Sequence, residues 1–288
     1  MSKINDKILG ILWEYRYLII ILIIVFLVYY IMKPNNNKVV VFDLDETLGY
    51  FTDLGVFYDG LQDYYDKNLP YNYVEKLLDL YPEFLRRGII NILKYIKTRK
   101  QSGNCRGVYI YTNNQGPKIW ANSIKNYLNK KIDSNYKLFD KVIGAYKVGK
   151  DIIEPCRTTH NKTVNDFLNC AGLSNNTEIF FLDDQYHKDM RVRNDKVIYY
   201  LHLEPYIYQI SSTDMINRYL KSNLWKGSVE EEDEFRRFMY HYMDDIEPIK
   251  HASNQEYKMT FNDIMFDLRD FLKSDNKKST NRGTRNKH

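Results

Sequence analysis

The chain has 288 residues, of which 44% are hydrophobic, 15% aromatic and 27% charged. This supply of apolar side chains excludes an intrinsically disordered protein and is enough for one α/β domain with appendages. The net charge of +5 is a small excess, which does not by itself indicate a nucleic-acid-binding protein. The three cysteines, Cys105, Cys156 and Cys170, are odd in number and have no CxxC spacing. They therefore predict neither a disulfide framework nor a thiolate zinc site, and they favour a reducing compartment.

An uncharged apolar stretch covers residues 17–32, close to the start of the chain. It is slightly shorter than the roughly 20 residues that span a bilayer core, but tyrosines at both of its ends can lie at the membrane interfaces. No small-residue cleavage site comes before Pro34, which disfavours a cleavable signal peptide. We therefore predict a membrane anchor over residues 1–33 with one transmembrane helix, followed by a linker at 34–37. The alternative is a buried hydrophobic helix.

Beyond the linker, short apolar runs alternate with helical patterns. The apolar runs are typical of buried parallel strands and cover residues 39–42, 108–111, 142–143, 179–182 and 197–201. The helical patterns cover residues 73–100, with breaks near Pro82 and Gly88, and then residues 117–130 and 163–170. This alternation predicts a three-layer α/β/α fold around a central parallel sheet, in which ligands bind at the carboxyl ends of the strands.

The predicted organisation divides the rest of the chain into three parts. Residues 38–210 form the α/β domain, and residues 211–273 form a helical C-terminal extension that includes an acidic run at 230–234. The last residues, 274–288, are basic and polar, and we expect a disordered tail there.

Two carboxylates follow the first predicted strand. Asp43 and Asp45 are two residues apart, so a strand end can project both toward one place. Carboxylates that are brought together repel each other, and a divalent cation with a preference for oxygen ligands, such as Mg²⁺, compensates for this repulsion. One carboxylate can attack phosphorus as a nucleophile, while the other acts as an acid and base. The alternative is an acidic turn that faces the solvent.

Polar residues also follow the next strands. Thr112 and Asn113 can hydrogen-bond phosphate oxygens where the chain turns into a helix. Asp183 and Asp184 end the strand that we expect beside the first one, and there they would complete a Mg²⁺ site with the first aspartate.

A cation is also needed to neutralise a phosphoryl group during its transfer. Lys162 precedes the predicted helix at 163–170 and is the lysine we favour for this role, although Lys147 and Lys150 compete with it. Two glycosylation sequons, at 161–163 and 175–177, would block this site if they were used, which argues for a cytosolic domain.

The order of these motifs resembles that of the haloacid-dehalogenase-like phosphohydrolase superfamily. Within it, the letters DLDETL at residues 43–48 look like the signature of the FCP/SCP-type family, the NLI-interacting-factor-like phosphatases of the RNA polymerase II C-terminal domain. The resemblance covers residues 38–203. It implies a haloacid-dehalogenase-like fold with a minimal cap, in which Asp43 is the nucleophile and Asp45 the acid and base.

The same resemblance implies roles for the remaining motif residues. Thr112 and Lys162 would be phosphate ligands, and Asp183 would bind Mg²⁺ together with the nucleophile and the backbone carbonyl of Asp45. Asp184 would be a more distant or water-mediated metal ligand.

Two motifs depart from the family pattern. Residues 112–115 read TNNQ instead of T-A-S, which is closer to the small-molecule and polynucleotide phosphatases of the superfamily, and residues 183–186 read DDQY instead of D-N-S-P. The apolar segment before the domain favours the phosphoprotein subfamily, because its nuclear-envelope member is similarly tethered. The AT-biased composition is similar to that of family members from large DNA viruses.

We therefore expect a single-pass membrane protein whose Mg²⁺-dependent phosphatase domain faces the cytosol or nucleus. Its expected substrate is phosphoserine or phosphothreonine of a protein that resembles the polymerase C-terminal domain. One alternative is a nucleotide or polynucleotide-end phosphatase, and another is a catalytically inactive, membrane-tethered binding module. The sequence leaves a nucleic-acid partner and the oligomeric state open.

Overall fold

The computed structural model of the chain describes residues 15, 16, 18, 20–25, 37–193, 196–243 and 251–273. The chain divides into two units, Met1–Asn36 and Asn37–His288. In the first unit, residues 18 and 20–25 are helical and exposed, and the rest of the predicted anchor at 17–32 lies outside the described residues. Within the described part of the chain, no helix combines the length and the hydropathy that a membrane crossing requires. The predicted tail at 274–288 also lies outside the described residues.

The second unit is built on a five-stranded sheet. Its strands are β1 (Lys38–Phe42), β2 (Gly107–Tyr111), β3 (Lys141–Ile143), β6 (Glu178–Asp183) and β9 (Tyr199–His202). They lie in the order β3-β2-β1-β6-β9, and every neighbouring pair is parallel. The five predicted apolar runs all lie in or overlap these strands, so the α/β fold with a central parallel sheet is confirmed.

Four further strands form two small antiparallel ribbons outside the main sheet. One ribbon pairs β4 (Lys147–Val148) with β5 (Asp151–Ile152), and the other pairs β7 (Val192–Arg193) with β8 (Lys196–Val197). The first ribbon contains Lys147 and follows the end of β3, whereas Lys150 lies exposed in its turn.

Helices cover both faces of the sheet. They are α1 (Thr52–Tyr64), α2 (Asn72–Leu80), α3 (Ile89–Gln101), α4 (Lys118–Ile132), α5 (Val164–Ala171), α6 (Ser212–Leu220), α7 (Glu232–Tyr242) and α8 (Asn254–Phe271). Alternate residues of a strand point to opposite faces, and β1 divides its side chains accordingly. Val39 and Val41 pack with Phe167 of α5 on one face. Val40 and Phe42 pack on the other face with a larger core that the remaining helices share.

The predicted helical C-terminal extension contains α6, α7 and α8. Their buried side chains, among them Met215, Phe235 and Leu268, belong to the same hydrophobic core as the sheet. The last of these helices begins with a capping box in which Ser253 accepts a hydrogen bond from the Glu256 N–H while the Glu256 carboxylate accepts from the Ser253 N–H. These helices therefore complete the covering of one face of the sheet.

The expectation that no disulfide forms is wrong. Cys156 and Cys170 are joined by a bond of 2.06 Å, with their Cα atoms 5.1 Å apart, and Cys105 is buried and free. Cys156 follows β5, and Cys170 lies near the end of α5. The two meet because α5 runs back toward the segment that follows β5. Sequence separation alone carries no sign of such a return, since it depends on the direction that the helix takes.

Candidate active site

The pairing of β1 with β6 brings two aspartates together at the carboxyl edge of the sheet. Phe42 lies opposite Leu182 in this register, and the Asp43 N–H continues the ladder by donating to the Leu182 carbonyl at 2.9 Å. The next positions along the two strands are therefore Asp43 and Asp183. Their side chains leave on the same face, because neighbouring strands of a sheet alternate in phase. Both residues are buried, with an exposed fraction of 7% for the whole of Asp43 and 0% for Asp183.

Lys162 lies between these two carboxylates. Its Nζ atom is 2.5 Å from Asp43 Oδ1 and 2.7 Å from Asp183 Oδ2, and the lysine is itself only 2% exposed. The local sequence fixes this position, because Thr163 caps the N-terminus of α5 by accepting the Asp166 N–H. The lysine thus stands directly before a helix that packs against the sheet. Of the three lysines considered from the sequence, Lys162 is the one that contacts the two aspartates.

A third carboxylate completes the cluster. Carboxylate oxygens of Asp43, Asp183 and Asp184 lie within 4.8 Å of one another, and all three residues are buried. Thr47 holds the third aspartate from both sides, since its hydroxyl donates to Asp184 Oδ1 at 2.8 Å and accepts the Asp184 N–H at 3.1 Å. Three hard oxygen donors at this spacing suit a divalent cation, because the single charge of Lys162 cannot compensate three buried carboxylates. The triad can therefore hold a metal ion.

Asp43 and Asp183 differ in pKa because their charged and buried surroundings differ. Burial raises the pKa of Asp43 to about 7; Lys162 opposes this rise and Asp183 adds to it. Burial also acts to raise the pKa of Asp183, but His187, whose Nε2 is 3.3 Å from Asp183 Oδ2, and Lys162 outweigh it and hold that pKa below its usual range. In the absence of a metal ion, Asp183 is therefore the readily ionised member of this pair.

Asp45 lies beside the triad rather than inside it. Its Oδ2 accepts a hydrogen bond from the Asn114 Nδ2 at 2.7 Å, and burial raises its pKa above the usual range of an aspartate. A carboxyl group with a raised pKa retains a proton that it can donate. The described metal cluster contains no Asp45 carboxylate oxygen.

A strained backbone turn separates Asp45 from Thr47. Glu46 has a φ of 57°, a left-handed conformation that costs a residue with a side chain of this kind on the order of 1–3 kcal/mol. Arg86 compensates by binding the backbone of the turn, with Nε 2.6 Å from the Thr47 carbonyl oxygen and one Nη 2.5 Å from that of Glu46. The Tyr206 N–H donates to the same Glu46 carbonyl at 2.8 Å. These contacts fix the conformation of the loop that carries Asp43 and Asp45.

The predicted phosphate ligands lie on a turn after β2. The Thr112 hydroxyl accepts the Asn114 N–H at 3.0 Å, which shapes the turn, and the threonine is 2% exposed. Asn113 is exposed, and its Oδ1 accepts from Arg157 at 2.8 Å. The Thr112 hydroxyl, which only accepts in this contact and keeps its own hydrogen, and the amide nitrogen of Asn113 are donors that this segment can offer to an anion.

Arg157 joins this turn to the loop that carries Lys162. Its guanidinium donates to the carbonyl oxygens of Thr112 and Gly144 at 3.2 and 2.7 Å, and to those of His160 and Asn161 at 2.9 and 3.2 Å. The group also lies 4.8 Å from the centre of the Tyr111 ring, and the arginine is only 2% exposed. Arg157 therefore fixes the distance between the two segments from which phosphate contacts are expected.

The structure thus brings together Asp43, Lys162, Asp183 and Asp184, and it places Asp45 beside them. Sequence reasoning did not identify Thr47, Arg86, Asn114 or Arg157. Thr47 lies in the motif that was chosen for its aspartates, and Asn114 lies in the motif that was chosen for Thr112 and Asn113. Their places in these motifs could have identified them. The two arginines bind mainly backbone oxygens, which leave no mark in the sequence.

Comparison of the chain with protein-family models, with curated proteins and with solved structures finds no match in any of the three.

Proposed function

We propose that this protein is a Mg²⁺-dependent phosphatase that acts through an aspartyl-phosphate intermediate. The observation that carries the proposal is the contact of one buried lysine with two buried aspartates, at 2.5 and 2.7 Å, beside a third carboxylate. A nucleophilic carboxylate, a cation for the transferred group and a separate acid are the parts that phosphoryl transfer needs. The order of the sequence motifs, which resembles that of haloacid-dehalogenase-like phosphohydrolases, supports the same conclusion.

The first half of the reaction uses Asp43 and Asp45. A carboxylate oxygen of Asp43 attacks the phosphorus atom of the monoester, and the bond between phosphorus and the ester oxygen breaks. Asp45, whose pKa burial raises, donates its proton to the leaving oxygen, so that a neutral alcohol departs. The phosphoryl group is then held on Asp43 as an acyl phosphate.

The second half restores the enzyme. Asp45, now ionised, removes a proton from a water molecule, whose oxygen attacks the phosphorus atom of the acyl phosphate. The bond between phosphorus and the Asp43 oxygen breaks, so inorganic phosphate leaves and both carboxyl groups return to their starting states. Lys162 compensates negative charge on the transferred group throughout, and a Mg²⁺ ion held by Asp43, Asp183 and Asp184 would add positive charge at the same place.

The proposed substrate is a phosphoserine or phosphothreonine residue of a protein. The segment between the catalytic loop and β2 contains α1, α2 and α3, and these helices place Phe57, Leu77 and Ile92 in the main hydrophobic core. They cover the sheet rather than forming a separate lid domain. A site without a lid domain suits a macromolecular substrate. We also propose that residues 17–32 tether the domain to a membrane.

Trapping of the intermediate tests the mechanism, and a substrate panel tests the substrate class. Borohydride reduces an acyl phosphate to an alcohol, so a reaction quenched with borohydride converts the phosphorylated aspartate to homoserine. We expect mass spectrometry to find this change at residue 43 in the wild-type chain and at no position in Asp43→Asn. Labelling at another carboxylate would contradict the assignment of the nucleophile.

For the panel, phosphoserine peptides and 3′-phosphorylated oligonucleotides are compared at equal concentrations. We expect faster phosphate release from the peptides. A preference for the oligonucleotides would instead support a polynucleotide-end phosphatase, to which the TNNQ letters at 112–115 are closer. If the chain releases phosphate from neither the peptides nor the oligonucleotides, the enzymatic function is contradicted.

A further inference from the structure

A cavity of about 670 Å³ opens between α2, the segment that joins α1 to α2 and the segment that follows α6, and none of the acid cluster lines it. Its volume lies within the range of about 300–1,000 Å³ that is usual for ligand pockets. Leu69, Leu80 and Leu224 form part of its wall, and Tyr65 and Tyr73 line it as well. The wall is therefore largely apolar.

Three lysines surround this wall and give the cavity a positive charge. Lys67, Lys76 and Lys226 line it and are exposed, and no described carboxylate lies within 4.0 Å of their ammonium groups. Asp79 also lines the cavity, but its charge is compensated by Lys131, whose Nζ is 2.6 Å from Asp79 Oδ1. The lining residues and Lys131 together carry three more positive than negative charges, and Glu231, which helps to raise the pKa of Tyr65, offsets part of this excess.

The aromatic groups of the cavity are already engaged. The hydroxyls of Tyr65 and Tyr73 lie 3.3 and 2.7 Å from the hydroxyl of Tyr219. The ammonium group of Lys67 is 4.9 Å from the centre of the Tyr65 ring, and that of Lys76 is 5.5 Å from the centre of the Tyr73 ring. A face of each tyrosine is therefore covered by a cation, which disfavours a ligand held by base stacking.

Two further polar side chains line the cavity, Ser222 and the exposed Asn223, and of these two the Asn223 amide is the one left to read the edge of a base. The Ser222 hydroxyl donates to the Tyr219 carbonyl at 2.6 Å and accepts the Leu224 N–H at 3.1 Å. Recognition by this cavity consequently depends on negative charge and on apolar contact. These are the properties of a peptide segment in which an apolar side chain lies between acidic residues.

We propose that the cavity is a docking site for an acidic segment of a partner protein. An apolar side chain of that segment enters between Leu69, Leu80 and Leu224, and its flanking carboxylates or phosphates bind Lys67, Lys76 and Lys226. Binding of the segment does not depend on catalysis. We also infer that this partner is a substrate of the phosphatase, and this second step rests on the proposed function.

Binding of labelled peptides to the full-length chain tests the site without any turnover. The first probe is a fluorescein-labelled peptide with one leucine between two pairs of glutamates, and the second replaces the glutamates with phosphoserines, in EDTA so that no phosphate is removed. A third peptide has alanine in place of leucine. We expect saturable binding of the first two probes by fluorescence anisotropy, and weaker binding of the third.

Charge reversal locates the binding. The double variant Lys76→Glu/Lys226→Glu should weaken binding by about tenfold or more, because two attractive charge pairs with the peptide become repulsive. The control is Lys94→Glu/Lys137→Glu, which makes the same change of net charge at lysines outside the cavity lining. Equal weakening by both double variants would overturn the site, as would equal binding of the leucine and alanine peptides.

Two further results separate this inference from the function. If the peptides bind as expected but the chain releases no phosphate from any ester, the docking site stands and the proposed function fails. If adenosine monophosphate displaces the first probe at a lower concentration than the unlabelled peptide does, the cavity takes a nucleotide and the inference is overturned.

Discussion

Replacement of Lys162 by methionine removes the cation that lies between two buried aspartates. The lysine is 2% exposed, and its partners Asp43 and Asp183 have side-chain exposures of 9% and 0%. Removal of one partner from a buried ion pair costs about 3–5 kcal/mol, because the remaining charge is left without compensation. Uptake of a proton by Asp43, whose pKa is already about 7, limits the loss to the lower end of that range. We expect Lys162→Met to lower the free energy of unfolding by about 3 kcal/mol in EDTA.

The matched control is Lys131→Met, which breaks the pair between Lys131 and Asp79. These side chains are 45% and 57% exposed, and an exposed pair contributes about 0–1 kcal/mol. Urea unfolding followed by tryptophan fluorescence at pH 8 measures both variants against the wild type. Mg²⁺ at about 100 times its dissociation constant stabilises a folded site by about 2.7 kcal/mol.

Because Mg²⁺ brings positive charge to the same carboxylates, it should stabilise Lys162→Met more than it stabilises the wild type. The difference between the two chains should therefore shrink when Mg²⁺ replaces EDTA. A loss in EDTA as small as that of the control, or a loss that Mg²⁺ leaves unchanged, would refute the idea that this cluster depends on cations.

Three other predictions concern the metal, the phosphate-binding segments and the disulfide. The metal binds the ionised form of Asp43, whose pKa is about 7, so the Mg²⁺ affinity should be constant above pH 7 and fall by about tenfold per pH unit below it. Calorimetry measures this affinity, and equal values at pH 5.5 and pH 7.5 would contradict the prediction. Arg157→Met should reduce kcat/KM for p-nitrophenyl phosphate by about 100-fold by releasing the loops it joins, and Arg157→Lys should retain more activity; equal activities of the two variants would argue against the positioning role. Cys156→Ser/Cys170→Ser should lower the free energy of unfolding by about 3 kcal/mol in urea titrations, because the bond closes a loop with a sequence separation of 14, whereas an unchanged value would show that the bond does not constrain the unfolded chain.

The main sheet was predictable because its strands are short apolar runs that end in polar residues. A buried parallel strand needs apolar side chains on both faces, and this requirement is visible in residues 39–42 and 179–182. The position of Asp43 beside Asp183 followed from the expectation that these strands are neighbours. The place of Lys162 before a helix predicted a cation near the strand ends, and the resemblance implied a phosphate ligand; its contact with the two aspartates was not predicted.

Other parts of the site could not be predicted, for physical reasons. Arg86 and Arg157 donate mostly to backbone carbonyl oxygens, which every residue has, so no partner residue marks the interaction. The left-handed conformation of Glu46 is maintained by its surroundings, whereas the local sequence contains no glycine at that position to signal it. The link between Cys156 and Cys170 depends on the course of α5 and was missed because it was sought in the spacing of the cysteines.

Phosphate release from p-nitrophenyl phosphate by the full-length chain tests the proposed phosphatase most directly. The wild type is measured with Mg²⁺ and with EDTA, beside Asp43→Asn, which keeps the shape of the side chain and removes its nucleophilic charge. Asp63→Asn, a change at an exposed position of α1, is the control. We expect turnover that requires Mg²⁺, persists in Asp63→Asn and is lost in Asp43→Asn. Turnover that survives in Asp43→Asn, or that is equal in EDTA, would contradict the aspartyl-phosphate mechanism.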